Sequence, residues 1–156
     1  MESKNKFMLR AIELSIKSAN GTGGPFGCVV VKDNTIIAEG SNKVTSSNDP
    51  TAHAEIVAIR DACKKLNTFK LSGCEIYTSC EPCPMCLSAM YWSHIDRIYY
   101  ANTRDDAKKI NFDDSMIYSE FLKEIKDRKI RMKQMLRDEA LEAFNIWDKK
   151  TDKIEY

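Results

Sequence analysis

The chain has no long apolar run, no excess of either charge and only two histidines. Its 156 residues carry 24 basic and 23 acidic side chains, a net charge of +1 at pH 7. No global field therefore draws it onto nucleic acid or an anionic membrane. No apolar stretch approaches the length of a membrane span, and residues 1–6 lead into an amphipathic pattern without the apolar core of a signal peptide. A cytoplasmic location is the expectation, with no membrane and no nucleic acid as partner. There the six cysteines stay reduced, so metal binding is a better reading than disulfide pairing. The glycine-rich residues 20–25 lack the Lys-Ser/Thr ending of a phosphate-binding loop and precede no helical pattern, which leaves a plain loop. Internal repeats and low-complexity segments are absent, and the length suits one domain, residues 1–156, around one core.

The periodicities resolve into alternating elements. Over residues 6–19, Phe7, Met8, Ala11, Ile12 and Leu14 recur at three- and four-residue steps, an amphipathic helix. Residues 26–32 and 35–42 read as antiparallel strands joined at Asp33-Asn34, which deliver the Asn42 amide to a loop over residues 41–50. Thr51 is the expected N-cap of a helix starting at about Ala52, with Ile56, Ile59, Ala62, Cys63 and Leu66 as its buried stripe. Residues 75–79 form a third strand, Pro84 opens a helix that ends near Trp92, and residues 97–101 form a fourth strand parallel to the third. A short helix over 103–109 and a helical turn through Ile117 and Phe121 follow. Residues 123–133 hold six basic and two acidic side chains. There Ile130 and Met132 alternate with basic neighbours, a pattern that favours an exposed edge strand over a nucleic-acid patch. Leu136, Ala140, Ala143, Phe144 and Trp147 make a last helical stripe behind a cap at Asp138, ahead of a polar tail. The order predicts an α/β fold, a three-layer α/β/α sandwich with a mixed central sheet and helices on both faces.

The chemistry concentrates in His53-Ala54-Glu55 and Pro82-Cys83-Pro84-Met85-Cys86. Two cysteines three residues apart on the opening turn of a helix bring both sulfurs to one face, where they can grip one metal ion. His53 supplies a third ligand. Three protein ligands leave one position of a tetrahedral Zn2+ for water, the arrangement of a catalytic site and not of a closed structural one. Two thiolates neutralise the formal charge of the metal, so an adjacent base becomes necessary. Glu55 fills that role, taking a proton from the water and handing protons to a ring nitrogen and a departing amine. The products are a carbonyl and ammonia. A redox dithiol competes as a reading of the cysteine pair, but the upstream His-x-Glu opposes it. A closed structural zinc would need Cys80 to turn back as fourth ligand, whereas Cys80 suits the core. Cys28, Cys63 and Cys74 also read as small core residues, and His94 as a surface residue in a helix-to-strand turn. A zinc-stabilised interaction module without catalysis is the reading outside enzymology.

His-x-Glu followed by Pro-Cys-x-x-Cys is the signature of zinc nucleobase deaminases. Nearly the whole chain resembles the cytidine deaminase-like superfamily. Gly23-Gly24-Pro25-Phe26-Gly27, Asn48-Asp49-Pro50-Thr51-Ala52-His53-Ala54-Glu55 and residues 80–86 are shared by its tRNA adenosine deaminases and its bacterial guanine deaminases. Trp92, Phe112-Asp113-Asp114-Ser115-Met116-Ile117-Tyr118 and the ending Ile154-Glu155-Tyr156 resemble the bacterial guanine deaminases. The glycine-rich segment and more basic surface of a tRNA-acting relative are missing, and Asn111 stands where a glycine is expected before Phe112. The resemblance implies zinc on His53, Cys83 and Cys86, Glu55 as proton shuttle, and hydrolysis of guanine to xanthine and ammonia. It also implies Asn42 and Asp114 as hydrogen-bonding partners of the base. These types suit guanine, whose ring N–H groups a carboxylate accepts and whose acceptors an amide reaches. Phe26 and Trp92 would be apolar walls. The resemblance further suggests a homodimer in which residues 137–156 cross to the neighbour, so that Tyr156 touches its substrate. Adenosine in tRNA and free cytidine are the alternative substrates.

Overall fold

In the computed structural model, which describes residues 2–155, the chain divides into two units, Met1–Asp114 and Ser115–Tyr156. The first runs through α1 (Glu2–Ala19), β1 (Gly27–Lys32), β2 (Thr35–Ser41), α2 (Val44–Ser47), α3 (Ala54–Leu66), β3 (Cys74–Cys80), α4 (Pro84–Trp92), β4 (Arg97–Asn102) and α5 (Arg104–Lys109). Asp33 and Asn34 both adopt left-handed backbone, φ 48° and 59°, which is the geometry of a tight two-residue hairpin turn. The hairpin registers Lys32 opposite Thr35 and Gly27 opposite Ser41, with an irregularity between Val30 and Val31. The strands lie in the order β2-β1-β3-β4. β1 is antiparallel to both β2 and β3, and β3 is parallel to β4, so the sheet is mixed as the pattern of elements predicts.

Alternation along the strands divides the core between two faces. On one face Val29, Val31 and Tyr77 pack with Phe7 and Ala11 of α1. On the other, Cys28, Val30, Ala38 and Ile76 pack with Ala54, Ala58, Ile59 and Ala62 of α3 and Met90 of α4. Removing a side chain such as Val29, Ile76 or Met90 from water stabilises the fold by about 1.5–3 kcal/mol each. Two glycines set how closely the layers approach. A Cβ on Gly27 would lie 2.3 Å from the Ala11 carbonyl oxygen, and one on Gly40 would lie 2.0 Å from that of Ala54. The backbones of α1 and α3 therefore rest directly on the sheet from opposite sides. Cys28 and Cys74 are buried and Cys63 packs against the same core, whereas His94 is exposed.

The second unit contains α6 (Ser115–Phe121), a 3-10 turn at Ile125–Asp127 and α7 (Arg137–Lys149). The edge strand expected around Ile130 and Met132 does not form. The Lys129 N–H donates to the Glu120 carboxylate at 2.6 Å, and the Arg128 Nε donates to the Lys123 carbonyl at 3.4 Å. With no strand alongside, alternation alone cannot hold an extended ladder. The start of α7 also differs from expectation. Leu136, in left-handed backbone at φ 49°, is its N-cap, and no side chain caps it. Asp138 lies inside the first turn, where its charge still suits the helix dipole. Among the described residues, no helix is long and apolar enough to cross a membrane.

Candidate metal and base-binding site

The helix carrying His53 begins two residues later than Thr51 suggests. The Asp49 carboxylate accepts from both the Thr51 N–H (2.8 Å) and the Thr51 hydroxyl (2.7 Å), closing a local turn that occupies Thr51. His53 is left as the N-cap of α3, with φ −65° and ψ 156°. Cys83 is the N-cap of α4 in nearly the same conformation, φ −64° and ψ 167°, and Pro84 follows within the first turn, where its missing N–H costs nothing. Neither N-cap side chain turns back to cap its own helix. Instead His53 Nδ1 lies 3.5 Å from Cys83 Sγ and 3.5 Å from Cys86 Sγ.

His53, Cys83 and Cys86 present ligand atoms that all lie within 4.8 Å of one another. Bonds of about 2.0 Å to nitrogen and 2.3 Å to sulfur, meeting at a tetrahedral angle, would separate the two atoms by about 3.5 Å. The donor set and its spacing therefore fit zinc. Cys83 is driven well below the ordinary thiol range by the hydrogen bond from Cys86 and then by His53, while Cys86 is driven up. Cys80 stays outside the cluster. Its buried Sγ donates to the Thr103 carbonyl at 3.6 Å, so the fourth ligand of a closed structural site is not assembled from it.

Glu55 is 5% exposed. Its Oε1 accepts from Thr78 Oγ1 at 3.2 Å and its Oε2 accepts from Cys86 Sγ at 3.5 Å. Burial raises its proton affinity above that of an ordinary carboxyl. Thr78 escaped sequence reasoning because a threonine in a strand carries no signal of the carboxylate it will hold.

Asn42 follows β2 with its amide orientation set. Oδ1 accepts from the backbone N–H of Val44 (3.2 Å) and of Gly24 (3.4 Å). Only the carbonyl end of the amide can accept both, so the NH2 end takes part in neither bond. Gly24 is close packed here, since a Cβ would meet Phe26, Asn42 and Phe112 at 3.3–3.5 Å. Phe26 meets the Phe112 ring edge-on, with centroids 4.9 Å apart. Asp114 is half-buried, and burial followed by the negative charge of Cys83 raises its pKa. The cluster of His53, Cys83 and Cys86, with Glu55, Asn42, Phe26 and Asp114, thus belongs to the first unit. Trp92 does not join them within its own chain. It closes the far end of α4, about 13 Å along the helix axis from Cys83, and is 66% exposed. Tyr156 lies outside the described residues.

The sequence model of the cytidine and deoxycytidylate deaminase zinc-binding region matches residues 1–102. The chain belongs to that family. Within this deaminase family it is similar to the guanine deaminase of Bacillus subtilis, at 51% identity over 151 residues, 96% of this chain and 97% of that one. The crystal structure of that enzyme superposes with a TM-score of 0.94 at 50% identity, covering 97% and 98% of the two chains. A guanine deaminase from Nitrosomonas europaea gives a TM-score of 0.67 at 36% identity over 69% of this chain and 63% of its own. The tRNA-specific adenosine deaminase of Aquifex aeolicus is 46% identical over 77 residues, 49% of this chain and 51% of that one.

Proposed function

We propose that this deaminase acts on guanine, exchanging the C2 amino group for oxygen to yield xanthine and ammonia. The likeness to a guanine deaminase over nearly the full length of both chains carries the reading. The tRNA-specific relatives match between 49% and 64% of this chain. His53, Cys83 and Cys86 are assigned as the zinc ligands. Zinc held there would lower the pKa of a bound water and so supply the nucleophile. Glu55 is the proton shuttle. It is placed to accept a proton at a carboxylate oxygen and to pass protons to the ring nitrogen and the departing amine, so that water's oxygen replaces the amino group at C2 and ammonia leaves. Its burial suits the task, because a raised proton affinity helps it take the proton at neutral pH. Thr78 keeps the carboxylate in place.

Asn42 donates to acceptors of the purine, Asp114 accepts from its ring N–H groups, and Phe26 is an apolar wall. The described residues of 115–155 include none that is buried, and Phe144 and Trp147 of α7 are 73% and 44% exposed. An uncovered apolar helix of this kind favours a homodimer in which residues 137–156 cover a second copy. Tyr156 would then touch the neighbour's substrate.

The substrate reading is tested by ammonia release from zinc-loaded protein offered guanine, adenine, cytidine or tRNA. Release from guanine alone is expected. Release from tRNA or cytidine with guanine inert would replace the substrate while keeping the chemistry. Full turnover and dimer mass in a variant truncated after Lys153 would remove the role of Tyr156.

A further inference from the structure

Helix α5 joins two parts of the proposed site that are far apart in sequence. Its first turn is tied to the segment that opens the cysteine motif. The Arg104 N–H donates to Glu81 Oε2 at 3.1 Å, the Glu81 N–H donates to the Asn102 carbonyl at 2.8 Å, and Cys80 Sγ donates to the Thr103 carbonyl at 3.6 Å. Within the helix, Thr103 and Asp106 close a capping box. The free N–H groups of the first turn are therefore met partly by α5 itself and partly by Glu81, two residues before Cys83.

The other end turns back sharply. The Asn111 N–H donates to the Lys108 carbonyl and the Phe112 N–H to the Ala107 carbonyl, both at 3.0 Å, while Asn111 is left-handed at φ 70°. This pair of bonds is the glycine-type helix stop in which asparagine is the usual second choice. It explains how Asn111 serves where a glycine is expected. The reversal carries Phe112 against Phe26 and leads directly into Asp114. A Lys108–Asp113 ion pair of 3.1 Å accompanies it, but both side chains are largely exposed and such pairs contribute little. A helix of six residues has no register of its own in water. Its position must come from its two ends.

We infer that α5 is a strut that sets Asp114 relative to Cys83, with Glu81 and Asn111 as positioning residues at its two ends. The inference rests on the reading of Asp114 as a base-binding residue in guanine deamination. A carboxylate on a loosened loop would meet the ring N–H poorly, and a displacement of about 1 Å can cost as much as 10²-fold in rate.

The test pairs a disruptive with a conservative substitution at each end. Glu81→Ala removes the acceptor of the Arg104 N–H and Glu81→Gln keeps one. Asn111→Val places a β-branched residue where φ is positive, whereas Asn111→Gly accepts that backbone readily. For zinc-loaded protein with guanine, kcat/KM is expected to fall about 10- to 100-fold in the disruptive variants, with kcat falling as well as KM rising. The conservative variants should stay within about threefold, and zinc content by mass spectrometry should be equal in all five proteins. If Asn111→Val does not fold, the Glu81 pair decides alone. Wild-type kcat/KM in the disruptive variants would overturn the strut. So would equal losses in conservative and disruptive variants, or losses that follow zinc content. A zinc-loaded wild type inert toward guanine would instead overturn the substrate reading beneath it.

Discussion

The two units differ in how they use apolar residues. In the first, the sheet and its helices bury Phe7, Val29, Ile76, Tyr77 and Met90 almost completely, and the site sits at two helix starts anchored on that core. In the second, Leu122, Ile130, Phe144 and Ile146 are 90%, 80%, 73% and 64% exposed. Both units have helices with apolar stripes, yet only one stripe meets a surface within its own unit. The first unit thus carries its own core beneath the site. The second has the composition of a surface awaiting cover, and for residues 137–156 a second copy of the chain is the proposed cover.

The sharpest break of this contrast is a pair of truncations. Ile76→Ala should lower unfolding stability by about 2–5 kcal/mol, while Ile130→Ala should change it by no more than about 0.5 kcal/mol. Urea unfolding at equal protein concentration reads both. Equal losses would mean that residues around 130 are buried in the assembled protein.

Next in size is the double change Phe144→Ser and Trp147→Ser. If α7 covers a second copy, removing two aromatic anchors at about 2 kcal/mol or more each should move the protein from dimer to monomer. Sedimentation at micromolar concentration measures this. A mass unaltered by the double change would sink the proposed interface.

The contrast between legible and illegible parts follows the same boundary. The cluster of His53, Cys83 and Cys86 was legible because metal ligation demands particular residue types at particular spacing. The strands of the first unit were legible because alternation is enforced by a core on each face. The start of α3 was not, since Asp49 competes for Thr51 through a side-chain turn that the bare order Asp-Pro-Thr does not announce. Trp92 looked like a site residue by resemblance, but the length of α4 carries it away from its own metal ligands. Around Ile130 the pattern was misleading, because alternation indicates a strand only where a neighbouring strand takes up its hydrogen bonds.

Smaller effects sharpen the comparison. Leu136 holds left-handed backbone at the start of α7, a conformation that costs a branched side chain about 1 kcal/mol. Leu136→Gly should recover part of that cost and raise the thermal midpoint slightly, offset by the greater freedom of glycine when unfolded. A clear fall would show that the Leu136 side chain is needed by its surroundings.

In the first unit, Glu75 is held below the usual carboxylate range by hydrogen bonds from Lys4 and Tyr77. A lowered folded-state pKa stabilises the protein above the unfolded value, about 4.3, and that contribution is lost as pH falls through the folded value. Wild type should therefore exceed Glu75→Gln in urea midpoint at pH 7 by a small margin, and the margin should close in acid. A margin that widens on acidification would contradict the assignment.

The most direct test of the central claim is to run the reaction in oxygen-18-labelled water. Zinc-loaded wild type supplied with guanine should form xanthine carrying one labelled oxygen, with an equal amount of ammonia. Glu55→Gln, at the same zinc content, should be slower by about 10²- to 10⁴-fold. Unlabelled product, or undiminished turnover in Glu55→Gln, would contradict hydrolysis by a water that Glu55 deprotonates.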